Sequence, residues 1–224
     1  MSASPYTCIL WDVDGTIADA SPGILPRLVE TLATFGIDAP DASQLSHWIG
    51  PPLALSFRDF AGLDEASAEE AVRRYRALAA RDGYAASVHI YDGVPDVLRA
   101  VQAAGIPQST ASTKPENQVI AILEHYELLP LFTAVSAATT GPAGNHEGKD
   151  IVVGRALERL AAAGADISRP VLIGDRHHDV DGAKPFGIPV IFSAWGFGDP
   201  SEAEGAIAIA ESAADLKALL LPGS

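Results

Sequence analysis

A parallel α/β sheet interrupted by one inserted helical unit is the fold class that the sequence predicts. Three observations predict it. From residue 106 onward, short apolar runs alternate with amphipathic helical patterns. One apolar run, "TCILW" (7–11), stands far upstream of the others. Between Trp11 and Ile106 lie more than ninety residues with several helical patterns and no good strand. Strands alternating with helices belong to a parallel sheet covered on both faces.

The elements follow in order. "TCILW" reads as the first strand. "PGILPRLVETLATFG" (22–36) is amphipathic and stops at Gly36, a C-terminal cap. "DEASAEEAVRRYRALAARDG" (64–83) is a second helix, with Ser67 and Glu70 spaced as a capping box. Glu69 with Arg73 and Glu70 with Arg74 are spaced as i,i+4 pairs. "GVPDVLRAVQAAG" (93–105) is a third, again ended by Gly. The remaining strands are "IPQSTA" (106–111), "FTAVSAA" (132–138), "PVLIG" (170–174) and "IPVIFSAW" (188–195). Helical patterns at 115–128, 149–164 and 179–187 stand between them. Pro107 and Gln108 weaken the start of the 106–111 strand. The expected division is a core of residues 1–18 and 91–224 with a helical unit of residues 19–90. An insertion after the first strand sits above the carboxyl ends of the sheet, where open α/β sheets bind ligands.

A chain of 224 residues, 48% hydrophobic, can bury a sizeable core. The net charge is −14, with 15 Lys and Arg, which argues against a nucleic-acid partner. No apolar run approaches the roughly 20 residues of a membrane helix. "MSASPYTC" lacks the basic and apolar regions of a signal peptide. The one cysteine, Cys8, lies in an apolar stretch and reads as a packed core thiol. A cytoplasmic protein without membrane partners is expected, monomer or homodimer being left open.

The acids carry the chemistry. Asp12 ends the first strand, and Asp14 follows on the same side of an extended chain. "PVLIG" ends in Asp175, and Asp179 follows four residues on. If the two strands are neighbours, their carboxylates converge and repel one another. A divalent cation removes that repulsion, and an all-oxygen donor set suits Mg²⁺. Mg²⁺ bound through carboxylates and phosphate oxygens points to phosphoryl transfer. Asp12 is the natural nucleophile, giving an aspartyl-phosphate. Asp14 is placed to protonate the leaving oxygen and then to deprotonate water. Gly15 lets the chain turn past the site.

These residues resemble the haloacid dehalogenase-like hydrolase superfamily. Asp12, Asp14, Gly15 and Thr16 match its first motif, Asp-x-Asp-Gly-Thr. Ser112 in "ASTKP" matches the second, Lys149 the third, and Gly174, Asp175 and Asp179 the fourth, Gly-Asp-x-x-x-Asp. The motifs come in family order and cover most of the chain. The insertion looks like the helical cap of the phosphoglycolate phosphatase and 5′-nucleotidase-like branch.

The resemblance implies a Rossmann-like core with an all-helical cap. It implies Mg²⁺ held by Asp12, the Asp14 backbone carbonyl and Asp175, with Asp179 in support. Ser112 and Lys149 would hold the phosphoryl oxygens, with the Thr113 backbone N–H added. The expected enzyme is a phosphatase of a small phosphorylated metabolite, phosphoglycolate or a 5′-nucleotide. A phosphosugar mutase and a non-catalytic phosphometabolite-binding protein are the alternatives. Asp14 argues against a dehalogenase, since halide leaves without a proton. No Lys precedes Val101, which argues against a cap Schiff base.

Two departures from the family pattern stand out. Pro107 and Gln108 interrupt the second strand, and "TTGPAGNHEG" before Lys149 is Gly-rich. Lys114 is therefore a rival for the phosphate-holding ammonium; Lys149 is preferred because Pro115 follows Lys114. His177 and His178 read as loop residues outside an all-oxygen site. Among the cap residues, Arg58 and Trp48 are the candidates for substrate contact, Trp48 competing with a core role.

Overall fold

The computed structural model of the chain describes residues 4–223. Strand β1 (Cys8–Trp11) runs into a short β2 (Ala18–Asp19). Four helices follow: α1 (Ser21–Ala33), α2 (Ala42–Ser46), α3 (Leu53–Asp59) and α4 (Glu65–Asp82). Strand β3 (His89–Ile90) then returns antiparallel to β2, with Ala18 opposite Ile90 and Asp19 opposite His89. The helical insertion thus hangs from a two-stranded ribbon.

The rest of the chain alternates. It contains α5 (Val94–Ala103), β4 (Gln108–Thr110), β5 (Ser112–Pro115), α6 (Glu116–His125) and β6 (Ala137–Ala138). Then come α7 (Lys149–Ala162), β7 (Pro170–Gly174), α8 (His177–Ala183), β8 (Val190–Ser193), β9 (Ala208–Ala210) and α9 (Ala213–Leu220).

The main sheet has the order β4-β1-β7-β8-β9, and every pair in it is parallel. From β1 the chain moves outward to β4, then returns to β7 on the other side. The order therefore reverses around β1, where an α/β sheet opens a crevice at its carboxyl edge. Trp11 lies opposite Ile173. Asp12 and Asp175 follow these two strands directly, so both carboxylates emerge at that crevice.

Alternation in the strands divides the core into two layers. Ile9, Trp11, Val171 and Ile173 face one layer, which continues into the helical insertion. Cys8, Leu10 and Leu172 face the other, against Val152, Val153 and Ala156 of α7. All four β1 residues are fully buried, as expected of a strand covered on both faces. The Cys8 thiol is pushed up to about 11 by burial and by Asp166, as suits a core thiol.

The polar start of β4 has a structural reason. Buried Gln108 accepts from Trp11 Nε1 at 3.1 Å and donates to the carbonyls of Leu98 and Leu131 at 2.9 and 3.0 Å. It ties the strand to its neighbours where Pro107 offers no N–H.

Two local expectations are corrected. The N-cap of α4 is Asp64, which accepts from Ser67 N at 2.8 Å, so Ser67 caps nothing there. Glu70 pairs with both Arg73 and Arg74. Glu69 leaves that face and reaches Asn145 and His146 instead. A partner from another element outcompetes an exposed i,i+4 pair worth only a few tenths of a kcal/mol.

Candidate active site

Asp12, Asp175 and Asp179 bring carboxylate oxygens within 4.8 Å of one another, and all three residues are buried. Each is fixed separately. The Asp12 peptide N–H donates to the Ile173 carbonyl at 2.9 Å, extending the β1–β7 register by one residue to Asp12. Asp175 Oδ2 accepts from the Phe197 N–H at 2.7 Å, and Thr16 Oγ1 lies 3.4 Å from Oδ1. Asp179 Oδ2 accepts from the Arg176 N–H at 3.0 Å in the first turn of α8.

Glycines make the space. Gly15 has φ +87°, and a Cβ there would stand 2.1 Å from Asp175 Oδ2. A Cβ on Gly196 would stand 2.3 Å from Asp175 Cβ. Both positions need glycine for close approach.

Lys149, the first residue of α7, inserts its ammonium into this cluster. Its Nζ lies 2.8 Å from Asp12 Oδ1, 2.8 Å from Asp179 Oδ1 and 2.8 Å from the Ala111 carbonyl. Burial alone would pull the ammonium toward neutrality, but Asp12 and Asp179 outweigh it and hold Lys149 above its ordinary range. Lys114 goes elsewhere: its Nζ pairs with Asp14 Oδ2 at 2.8 Å. Burial raises Asp14 toward its protonated form, against the pull of Lys114. Asp14 Oδ1 is buried without a hydrogen-bond partner.

The charges decide what fits. Asp12, Asp14, Asp175 and Asp179 are four carboxylates facing two ammoniums, Lys114 and Lys149. With all four ionised, the carboxylates outnumber the ammoniums by two charges, a repulsion that raises the acids toward protonation. Asp175 has no ion-pair partner among the described residues; burial, Asp179 and Asp12 push it well above its ordinary value, against the weaker pull of the Phe197 N–H and Arg176. A dication matches that deficit, and an all-carboxylate donor set matches Mg²⁺.

The structure brings most of the sequence-predicted residues together. Ser112 is buried at the start of β5, and its Oγ accepts from the Lys114 N–H at 3.3 Å. Thr113 Oγ1 donates to the Gly50 carbonyl at 2.7 Å, tying the core to the insertion. His178 is pushed down to about 4 by burial, His177 and Arg176, so it is neutral near pH 7. His177 Nδ1 lies 2.7 Å from Glu202, and neither imidazole belongs to the acidic cluster.

A small cleft of about 60 Å³ opens beside Asp14, between the insertion and the core. Trp48 lines it while packing edge-on against Phe57 at 5.6 Å, so it is a core residue with one edge on the cleft. Arg58 is exposed and is not among the lining residues; the insertion arginine at the cleft is Arg76. Sequence reading missed two further residues. Buried Arg176 pairs with Glu202 at 2.9 Å and donates to the Ile49 carbonyl. Asn145 lies buried in the Gly-rich stretch before Lys149. Neither carries a motif signal; only the position of Arg176 beside Asp175 hinted at a role.

Residues 9–193 match the family model described as haloacid dehalogenase-like hydrolase. A 5′-nucleotidase of Pseudomonas aeruginosa is 34% identical over 201 residues, 90% of this chain and 88% of that protein. The tyrosine-protein kinase PtkA of Mycobacterium tuberculosis is 34% identical over 190 residues, 85% of this chain. The match spans 62% of the length of that kinase. The crystal structure of a predicted phosphatase from Clostridium acetobutylicum superposes with a TM-score of 0.87 at 31% identity, covering 96% of this chain and 97% of that one. No helix among the described residues is long and apolar enough to cross a membrane. With an acidic crevice at the reversal of a parallel sheet, four motifs in order and a family match over most of its length, the chain belongs to the haloacid dehalogenase-like hydrolases.

Proposed function

We propose that the chain is a Mg²⁺-dependent phosphomonoester hydrolase acting on a small phosphorylated metabolite. The observation that carries this reading is the pairing of two unlike carboxylates: Asp12, held by Lys149 in the acidic cluster, and Asp14, raised toward its protonated form beside the cleft. Carboxylates with different environments take different roles.

Asp12 attacks phosphorus as the bond to the leaving oxygen breaks, and Asp14 gives its proton to that oxygen. Water then loses a proton to Asp14 and attacks phosphorus. The bond to Asp12 breaks, and inorganic phosphate leaves with both carboxyl groups restored. Asp12, the Asp14 carbonyl and Asp175 are the proposed Mg²⁺ ligands, with Asp179 supporting. Bound Mg²⁺ supplies charge neutralisation for the phosphoryl oxygens. Lys149 aligns Asp12, and Ser112 and the Thr113 N–H offer donors to the phosphoryl group. Residues 19–90 act as a cap that closes over the cleft and excludes stray water. Phosphoglycolate and a 5′-nucleotide are the proposed substrates, the latter in line with the relative of that name.

The test is p-nitrophenyl phosphate hydrolysis with Mg²⁺ and then with EDTA, using the wild-type chain and Asp12→Asn. Turnover that needs Mg²⁺ and vanishes in Asp12→Asn is expected. Near-normal activity of pure Asp12→Asn would overturn the covalent route.

A further inference from the structure

Two core side chains grip the helical insertion at a single turn. Residues 49–52, "IGPP", join α2 to α3. Arg176 Nη1 donates to the Ile49 carbonyl, and Thr113 Oγ1 donates to the next carbonyl, that of Gly50, at 2.7 Å. The local sequence suits this role. Gly50 has φ +115°, which side chains rarely adopt, and a Cβ there would stand 3.3 Å from Arg176 Cγ. Pro51 and Pro52 follow with no N–H and a fixed φ, so the turn keeps its shape and presents carbonyls.

Arg176 is held ready on the core side. It is only 4% exposed, and its Nε donates to Glu202 Oε2 at 2.9 Å. The same oxygen accepts from the His177 N–H at 3.1 Å, and Glu202 Oε1 accepts from the Asp199 N–H at 3.3 Å. Burial would raise the Glu202 carboxyl, but donors from Arg176 and His177 outweigh it and hold the carboxyl down to about 2. The Arg176–Glu202 pair is therefore ionised at neutral pH. The Arg176 peptide N–H meanwhile donates to Asp179 Oδ2, and Asp175 precedes it in the chain. Thr113 likewise follows Ser112. Both gripping side chains thus belong to residues that adjoin the acidic site. If the insertion lifts, Nη1 loses the Ile49 carbonyl while Nε keeps Glu202, because Glu202 belongs to the core.

We propose that Arg176 is a positioning residue for the reaction: a latch fixed on the core by Glu202, with the Ile49 carbonyl as its catch, that sets how much of the chain has the cap closed over Asp12 and Asp14. Its bearing on turnover rests on the phosphatase reading; the latch itself does not. A hydrogen bond from a charged donor shifts such an equilibrium by about ten- to a hundredfold. Glu202 has already immobilised the guanidinium, so little side-chain freedom is lost when the turn arrives. Where chemistry proceeds from the closed state, kcat/KM scales with the closed-to-open ratio, by the same factor for every ester.

The experiment reads cap position and turnover together in the full chain with Mg²⁺. Dyes on Ala77→Cys of α4 and Ala162→Cys of α7, both exposed, report opening by single-molecule energy transfer; Cys8 is fully buried and takes no label. Arg176→Lys keeps a charge for Glu202 but lacks the planar fork that serves two partners at once. Its open-to-closed ratio should rise about tenfold or more, and kcat/KM for p-nitrophenyl phosphate and acetyl phosphate should fall by that same factor. The Mg²⁺-induced melting shift should keep its wild-type size, since Asp175 and Asp179 are untouched. Glu202→Gln should act in the same direction and less strongly. The double variant should be no worse than Arg176→Lys alone, because the two side chains work as one unit. Thermal melts check each fold; should Arg176→Lys fail to fold, Glu202→Gln carries the same readouts.

An unchanged open-to-closed ratio in a folded variant overturns the latch. So does a lost Mg²⁺ shift, which would make Arg176 a support of the metal site, and so does additive damage in the double variant. A wild type that hydrolyses neither ester, in a chain whose cap opens as expected in Arg176→Lys, overturns the phosphatase reading and keeps the latch. Mg²⁺-dependent hydrolysis with an unmoved cap does the reverse.

Discussion

Asp175→Asn should remove most of the chain's stabilisation by Mg²⁺. Asp175 is fully buried and faces Asp12 and Asp179 with no ion-pair partner among the described residues. Its partners are a peptide N–H on Oδ2 and a hydroxyl on Oδ1; the amide oxygen of Asn can accept from the Phe197 N–H while its NH₂ donates to Thr16 Oγ1. Without metal, the carboxylate is a buried group in the wrong charge state, a cost of about 1–3 kcal/mol. Removing the charge should therefore raise the EDTA melting temperature by roughly 2–12 °C, at about 2–4 °C per kcal/mol for a chain of this size.

Mg²⁺ should act unequally on the two proteins. At a hundredfold excess over its dissociation constant, a ligand of the native state adds about 2.7 kcal/mol, or roughly 5–11 °C. The wild type should show that rise, and Asp175→Asn should show little of it, so the two melting curves exchange order. The pH dependence follows the same logic. The folded carboxyl takes its proton at a higher pH than the unfolded one, so metal-free wild type gains stability as pH falls through the folded value. Mg²⁺ should erase that gain. Differential scanning fluorimetry in EDTA and in MgCl₂ reads all of this, with His177→Ala and His178→Ala as controls that keep the full shift. A wild-type melt indifferent to Mg²⁺, or a shift of wild-type size in Asp175→Asn, would refute the metal assignment.

Three further outcomes are expected. Lys149→Met leaves Asp12 and Asp179 without their shared ammonium and should cost about 3–5 kcal/mol in EDTA, read by urea unfolding, with part recovered on adding Mg²⁺. Gly15→Ala drives a methyl into the Asp175 carboxylate at a positive φ; it should weaken Mg²⁺-dependent stabilisation more than Gly36→Ala, where the methyl meets nothing within 4 Å. Arg155 and Thr139 hold the Glu147 carboxyl down to about 2. Its contribution of about 1–2 kcal/mol is complete above the unfolded value near 4.5 and is lost as pH falls toward 2, so wild type and Glu147→Gln should differ at neutral pH and converge in acid.

What the sequence disclosed, and what it withheld, divides along a physical line. Strand β1 and the acids after it were legible because their signals are local. Four apolar residues that reach two faces at once have to lie inside a parallel sheet, and an acid at such a strand end needs a counter-charge. The neighbouring positions of β1 and β7 then follow from where Asp12 and Asp175 must meet. Lys149 was legible only through the family pattern, since nothing in "EGKDIV" says that its ammonium enters an acidic crevice rather than water.

Glu69, Arg76 and Asn145 were illegible for a different reason. On α4, Glu69 has a basic residue four positions on, and a one-dimensional reading pairs them. The pairing fails because the 139–148 loop reaches across from the core and offers Asn145 and His146 to the same carboxylate. That Gly-rich loop departs from the family pattern at the place where the cap is met. Its Glu147 fixes it to Arg155 and to Thr139 at 2.7–2.8 Å, so Gly141 presents an acceptor to Arg76 and Asn145 a donor to Glu69 of the cap. The motif residues sit at strand ends and helix starts, where the local sequence records them. The contacts between cap and loop join side chains to partners some seventy residues away, and they become visible only when the two segments are brought together.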